Sequence, residues 1–375
     1  MRECGHPDGT SNNGDLQSQT IALPGLSVTQ NYTYDHLNRL TNATETGGAG
    51  WAQCYGYDVT GNRWVSPAST GPLPLTNATP QAQGWFDNCV GGTGSTCAGG
   101  TWSQSANNQV LASEGWVYDG AGNVTQAGSS ALTFTYDAEN RQLTANVNGP
   151  VSSYAYDGNG LRVSKSVPTG SGTNTTVSVY DAWGNEAAQY PSFVPASNCA
   201  TATCYVTMDH LGSTRMLTDS AGNVQRRYDF LPFGQELGAG IGSRTTAMGY
   251  LTAPDGLSPK FTGQGRDQET SNDWFQVRAM SGAAGRFQSV DPGNAGANLG
   301  DPQTWNGYSY VGNNPMSFTD PSGIEGGCAI CVLAGAGVAA LAAWVGSEIN
   351  SGGGGACHDS ARVGYAVESG FGISG

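Results

Sequence analysis

The chain has 375 residues, of which 57 are glycine and only 12% are charged, about half the usual charged share of a globular protein. Its net charge is −14, and none of its 15 Lys and Arg residues forms a run, which argues against a surface built to bind nucleic-acid phosphates. Low charge together with many Tyr, Thr, Val and turn-forming residues predicts an all-β chain and excludes whole-chain disorder.

Residues 1–30 form a lead-in. The first six positions carry no apolar stretch of the kind a signal peptide needs. The periodic pattern then starts abruptly near Asn31, which reads as the interior of a longer chain. From there one phrase recurs, an aromatic-rich run closed by Asp-x-x-Gly or Asp-x-x-Asn, at Asp35, Asp58, Asp119, Asp137, Asp157, Asp181 and Asp219. The first six of these follow a tyrosine directly, and neighbours lie 18 to 24 residues apart except for gaps of 61 and 38. A fixed period of that size marks an array of supersecondary units, none of which buries its own apolar face.

Each unit predicts strand, tight turn, strand. Asp at turn position i accepts hydrogen bonds from the turn's own N–H groups, and Gly at i+3 supplies the left-handed backbone that returns the chain. Asn38 and Asn140 replace that glycine, and Asn is the residue next most tolerant of positive φ. Alternation such as Leu132-Thr-Phe134-Thr-Tyr136 gives each hairpin one aromatic side.

Residues 65–113 interrupt the period with Pro, Gly and the pair Cys89 and Cys97, and residues 168–176 form another loop. The nine cysteines are an odd number. Cys89 with Cys97, and Cys199 with Cys204, read as small-loop disulfides of an oxidising compartment, the alternative being thiols buried as small apolar groups. From Asp209 to about Ile324 the sequence is denser and no longer periodic. Residues 326–347 carry no charge, and a glycine run and a short polar tail follow.

The repeats resemble the YD repeats of Rhs proteins, and the stretch beyond Asp209 makes the likeness specific. Asp209-His-Leu-Gly-Ser-Thr-Arg215, Tyr228-Asp-Phe-Leu-Pro232-Phe-Gly234, Phe261-Thr-Gly-Gln-Gly-Arg-Asp267, Trp274-Phe-Gln-Val-Arg278, Gly285-Arg-Phe-Gln-Ser-Val-Asp291-Pro, Tyr308-Ser-Tyr-Val-Gly-Asn-Asn-Pro315 and Phe318-Thr-Asp320-Pro-Ser-Gly323 follow in the order of the Rhs repeat-associated core. The resemblance covers roughly residues 31–324. It implies four parts: the lead-in 1–30, a repeat shell 31–208 with inserted loops, the core 209–324, and a variable segment 325–375. The implied fold is tandem β-hairpins in a spiralling sheet that forms a partial hollow shell, ending in a short helical or disordered segment.

The implied function is that of a polymorphic toxin whose shell holds its own C-terminal segment as cargo. An immunity protein and a secretion apparatus are the implied partners, and the implied location is secreted or at the cell surface. The resemblance also implies an aspartyl-type autoprotease with Asp291, Asp320 and Arg278 as its catalytic residues, cutting between Ile324 and Glu325. Two close carboxylates sharing a proton suit that chemistry, one activating water while the other protonates the departing group. Both Asp-Pro sequences also suit ordinary turns, and that alternative stays open at this point.

No cofactor or metal is expected. Cys328-Ala-Ile-Cys331 with the distant Cys357-His358 lacks the ligand spacing of a zinc site. The apolar segment 326–347 reaches the length of a membrane span, yet its Ala and Gly are weakly apolar, so a helix held inside the shell competes with a membrane-directed role. A rival reading of the whole chain is a surface adhesion protein that binds carbohydrate through exposed aromatic side chains and releases nothing.

Overall fold

The structure is a computed structural model that describes residues 14–65, 107–110, 112, 115–182, 184, 186–192, 203–252, 255–295, 297–324 and 327–328. Strands run antiparallel throughout, each pairing with its neighbour in sequence. The first sheet is β1 (Ser18–Leu23), β2 (Leu26–Tyr34), β3 (Leu40–Thr46), β4 (Ala52–Tyr57) and β5 (Arg63–Val65). Pairing begins at Ser18, ahead of the first recognisable repeat, because Gly25 at φ 84° lets β1 fold back on β2 without an Asp turn.

The second sheet has eight strands in strict sequence order. They are β6 (Val117–Tyr118), β7 (Val124–Ala127), β8 (Ser129–Tyr136), β9 (Gln142–Val147), β10 (Val151–Tyr156), β11 (Arg162–Thr169), β12 (Gly172–Tyr180) and β13 (Glu186–Pro191). A third, three-stranded sheet holds β14 (Cys204–Met208), β15 (Thr214–Asp219) and β16 (Val224–Arg227). The dense region then makes the short pair β17 (Asp229–Phe230) and β18 (Glu236–Leu237). It also forms a four-stranded core sheet of β19 (Gly265–Asp267), β20 (Asn272–Phe275), β21 (Arg278–Ser281) and β22 (Arg286–Phe287). The array is therefore all-β, as expected, but divided into successive sheets.

The turns explain why the repeats fold alike. At Asp137 the carboxylate Oδ1 accepts the N–H groups of Glu139 and Arg141, both at 2.9 Å, and the Asp carbonyl accepts from Asn140 at 3.1 Å. Asn140 sits at φ 62°, where Asn is tolerated. The same three bonds recur at Asp35, Asp58, Asp119, Asp157 and Asp219. Asp209 makes them too, although it follows Met208 instead of a tyrosine. Each turn satisfies its own polar groups, so the flanking strands need only supply an apolar face.

Those faces build two main interiors. In β2 the alternate residues Leu26, Val28, Gln30, Tyr32 and Tyr34 point inward. Tyr32 and Tyr34 join Leu40, Tyr55, Leu217, Phe233, Phe275, Met280, Phe287 and Tyr310 in one apolar cluster that links the first and third sheets to the core sheet. A smaller cluster, including Trp116, Val124, Leu132, Phe134 and Tyr154, lies under the second sheet and takes Ala284 from the core.

Candidate functional site

β20 and β21 are joined by a tight turn with Gln276 at φ 59°, which pairs Phe275 with Arg278. That turn aims Arg278 into the interior, where it is 3% exposed and its guanidinium carbon lies 3.6 Å from the centre of the Phe287 ring. A buried cation in an apolar wall needs partners on every donor. Arg278 Nη1 donates to the carbonyl of Gly307 at 2.8 Å, and Nε donates to the carbonyl of Gly323. Nη2 faces both acids, 2.5 Å from Asp291 Oδ1 and 3.5 Å from Asp320 Oδ2. Burial pulls the Arg278 pKa down, against the pull of the two carboxylates.

Asp291 follows β22 and is tied to the neighbouring segment by its N–H, which donates to the Gly307 carbonyl at 3.1 Å. Asp320 follows β23 (Phe318–Thr319), which pairs with β24 (Gly327–Cys328). The loop between these two strands therefore contains the bond after Ile324. Asp320 Oδ1 accepts the N–H groups of Gly323 at 2.8 Å and Ile324 at 3.1 Å. Gln264 Nε2 holds the Pro321 carbonyl at 3.2 Å. Gly323 has φ 76°, and a Cβ there would lie 2.3 Å from the Phe275 carbonyl, so only glycine fits.

The structure thus brings together Arg278, Asp291, Asp320 and Ile324, four of the residues singled out in the sequence. Glu325 lies outside the described residues, as do Cys89, Cys97 and Cys199. Cys204 is disulfide-bonded, and so is Cys54, which the spacing of the cysteines did not suggest. The carbonyls of Gly307 and Gly323 were also invisible in the sequence, because backbone acceptors carry no residue-type signal. Asp291 forms the ordinary turn that its Asp-Pro sequence suits, its carbonyl accepting the Asn294 N–H at 3.1 Å, whereas at Asp320 the side chain, not the carbonyl, receives the Gly323 N–H.

Among the described residues there is no group of three or more His, Cys, Asp and Glu placed to hold a metal. Among them, too, no helix is long and apolar enough to cross a membrane. Residues 326–347 fall outside the described set apart from Gly327 and Cys328, as does the rest of the Cys328-Ala-Ile-Cys331 sequence.

No family profile matches the chain. It is similar to the tRNA nuclease WapA of Bacillus subtilis (strain 168), 24% identical over 326 residues, which is 85% of this chain and 11% of that protein. It is also similar to the salivary gland surface protein 1 of Aedes aegypti, 33% identical over 119 residues, or 32% of this chain and 3% of that one. Among solved structures, the crystal structure of TcdB2-TccC3-Cdc42 aligns with a TM-score of 0.46 and 17% identity, over 84% of this chain and 14% of the other. The chain spans a small fraction of each of these proteins.

Proposed function

We propose that this chain is the C-terminal wall and self-cleaving core of an Rhs-type toxin, which severs itself after Ile324 and so frees residues 325–375 as an enclosed effector. The observation that carries this reading is the convergence of Arg278, Asp291 and Asp320 on the Gly323–Ile324 segment. One carboxylate takes a proton from water, whose oxygen attacks the Ile324 carbonyl carbon. The tetrahedral intermediate then collapses, the C–N bond to Glu325 breaks, and the second carboxyl supplies the proton that the departing amine takes. Arg278 keeps the paired acids together and offsets the negative charge that builds at the carbonyl. Its bond to the Gly323 carbonyl holds the loop in place.

In this reading the residues before Ile324 are scaffold and guard. The cargo is the chain's own end, an immunity protein would neutralise it, and a secretion apparatus would deliver the whole to the cell surface or beyond. The surface-protein name of the mosquito relative favours a second reading, an adhesion module that binds carbohydrate and stays whole. A denaturing gel of the purified full chain separates the two. Self-cleavage yields a fragment starting at Glu325 by N-terminal sequencing, which Asp291→Asn and Asp320→Asn each abolish. A wild-type chain that remains intact across pH 4–8 removes the protease reading.

A further inference from the structure

The two faces of the core sheet differ in chemistry. Opposed residues of an antiparallel pair share a face, so the pairings Trp274↔Ala279, Asn272↔Ser281 and Ser281↔Arg286 put those side chains on one side. Gln288, two positions beyond Arg286, falls on that side as well. The opposite side carries Phe275, Met280 and Phe287 and belongs to the large apolar cluster.

The polar side faces the second sheet. Ala284 is the core's contribution to the apolar cluster under that sheet, and much of the rest of the contact is polar. Arg162 of β11 donates to both oxygens of Asp267, at 2.7 and 3.0 Å, and Lys165 adds a bond to Asp267 at 3.0 Å. Tyr154 donates to Glu269 at 2.7 Å. The rings of Tyr156 and Trp274 meet with centroids 5.8 Å apart. Around these contacts lie polar atoms that are buried yet find no hydrogen-bond partner among the described residues. They are both amide atoms of Asn272 and of Gln288, the Trp274 Nε1, the Gln142 Oε1 and the Tyr136 hydroxyl. Asn272 and Gln288 are each 1% exposed.

An interior amide left without a partner opposes the closed state, and water is the usual remedy. Opening this contact hydrates these groups and uncovers the smaller apolar cluster under the second sheet, whereas opening the other side of the core sheet would expose the larger aromatic cluster. We propose that β6–β13 disengages from the core as one unit along this polar seam, with the Asp267 ion cluster as its latch, while the first sheet stays fixed. The second sheet is thus a separable flap, independently of whether the chain cuts itself.

Native-state hydrogen exchange on the full chain tests this. Amides of residues 117–191 should share one opening rate, faster than that of residues 26–46 and 272–281. Asp267→Asn, which removes the latch, should speed exchange throughout 117–191 by about tenfold or more and leave 26–46 unchanged. Lys165→Gln removes one of the two cations, keeps the Arg162 pair, and should give a smaller increase confined to the same block. If residues 117–191 exchange no faster than the first sheet, or if both variants accelerate all segments equally, the seam does not open and the proposal falls.

Discussion

Arg278 and Gly323, 45 positions apart, are joined by a hydrogen bond from the guanidinium Nε to the glycine carbonyl. That bond fixes one end of the loop in which the bond after Ile324 lies. The same guanidinium reaches Asp291 and Asp320 through another nitrogen, so one side chain ties both acids to the Gly323–Ile324 loop.

Replacing Arg278 by Lys keeps the charge but discards the fork. A lysine cannot donate to the Gly307 and Gly323 carbonyls and face both acids at once. Self-cleavage should fall by at least about a hundredfold, as expected when a positioning contact is lost. The strands should still form, so the far-ultraviolet circular dichroism spectrum should match that of the wild type. A variant that cuts at the normal rate would remove Arg278 from the mechanism.

Gly323→Ala forces a Cβ onto the Phe275 carbonyl and a side chain into left-handed backbone. The backbone penalty alone is about 1–2 kcal/mol, and the clash adds to it. The loop should shift, weakening the two N–H bonds to Asp320, and cleavage should slow while the melting temperature of the whole chain drops only slightly. Equal cleavage rates for the alanine variant and the wild type would show that the loop tolerates displacement.

Asp273, on β20 and paired with Arg266 at 2.6 Å, is fully buried, and burial pushes its pKa from 3.8 up to about 6. A carboxyl with a raised folded-state pKa stabilises the fold most below its unfolded value. That contribution fades as pH climbs from about 4 to 6 and amounts to something on the order of 2–3 kcal/mol. Asp267 behaves in the opposite sense. Burial raises its pKa, but Arg162 and Lys165 outweigh that and hold it below 3.8, so its support is lost only in stronger acid. A melting-temperature series should therefore carry a downward component between pH 4 and 6 that Asp273→Asn removes. An unchanged slope in that variant would show that Asp273 does not titrate there.

Arg244 is wholly buried between Glu45 of β3, at 2.6 Å, and Asp229 of β17, at 2.5 Å. Arg244→Leu leaves Glu45 buried without its guanidinium partner, while Asp229 keeps Arg215 at 2.6 Å, and should cost about 3–5 kcal/mol in chemical denaturation. Changing Arg244 to Leu together with Glu45→Leu should recover much of that loss, because no unpaired charge is then left inside. If the double variant is as unstable as the single one, packing and not charge governs the site.

What the sequence revealed follows how far each interaction reaches along the chain. The Asp turns were legible because Asp, the left-handed residue and the closing bonds all fall within five positions, as at Asp58 and Asn62. Arg278, Asp291 and Asp320 were legible as a motif order, and the structure adds that they meet. The Arg244–Glu45 pair spans 199 positions, and neither residue sits in a recurring phrase, so nothing local announced it. The spacing of the cysteines likewise did not single out the disulfide at Cys54. Asp209 opens the dense, non-periodic stretch and so did not read as one more repeat, whereas the turn itself depends only on Asp and Gly212.

Because the turns at Asp35, Asp58, Asp119, Asp137, Asp157 and Asp219 each close the same three backbone N–H bonds within a single loop, a hairpin is a unit that can be inserted or deleted as a whole, the next repeat offering its neighbour an equivalent turn. The repeat sheets can therefore lengthen or shorten in steps of one hairpin over evolutionary time while the side-chain cluster around Arg278 stays untouched. The length of the sheets and the Arg278–Asp291–Asp320 cluster are then free to vary separately, the first by duplication and the second by point substitution.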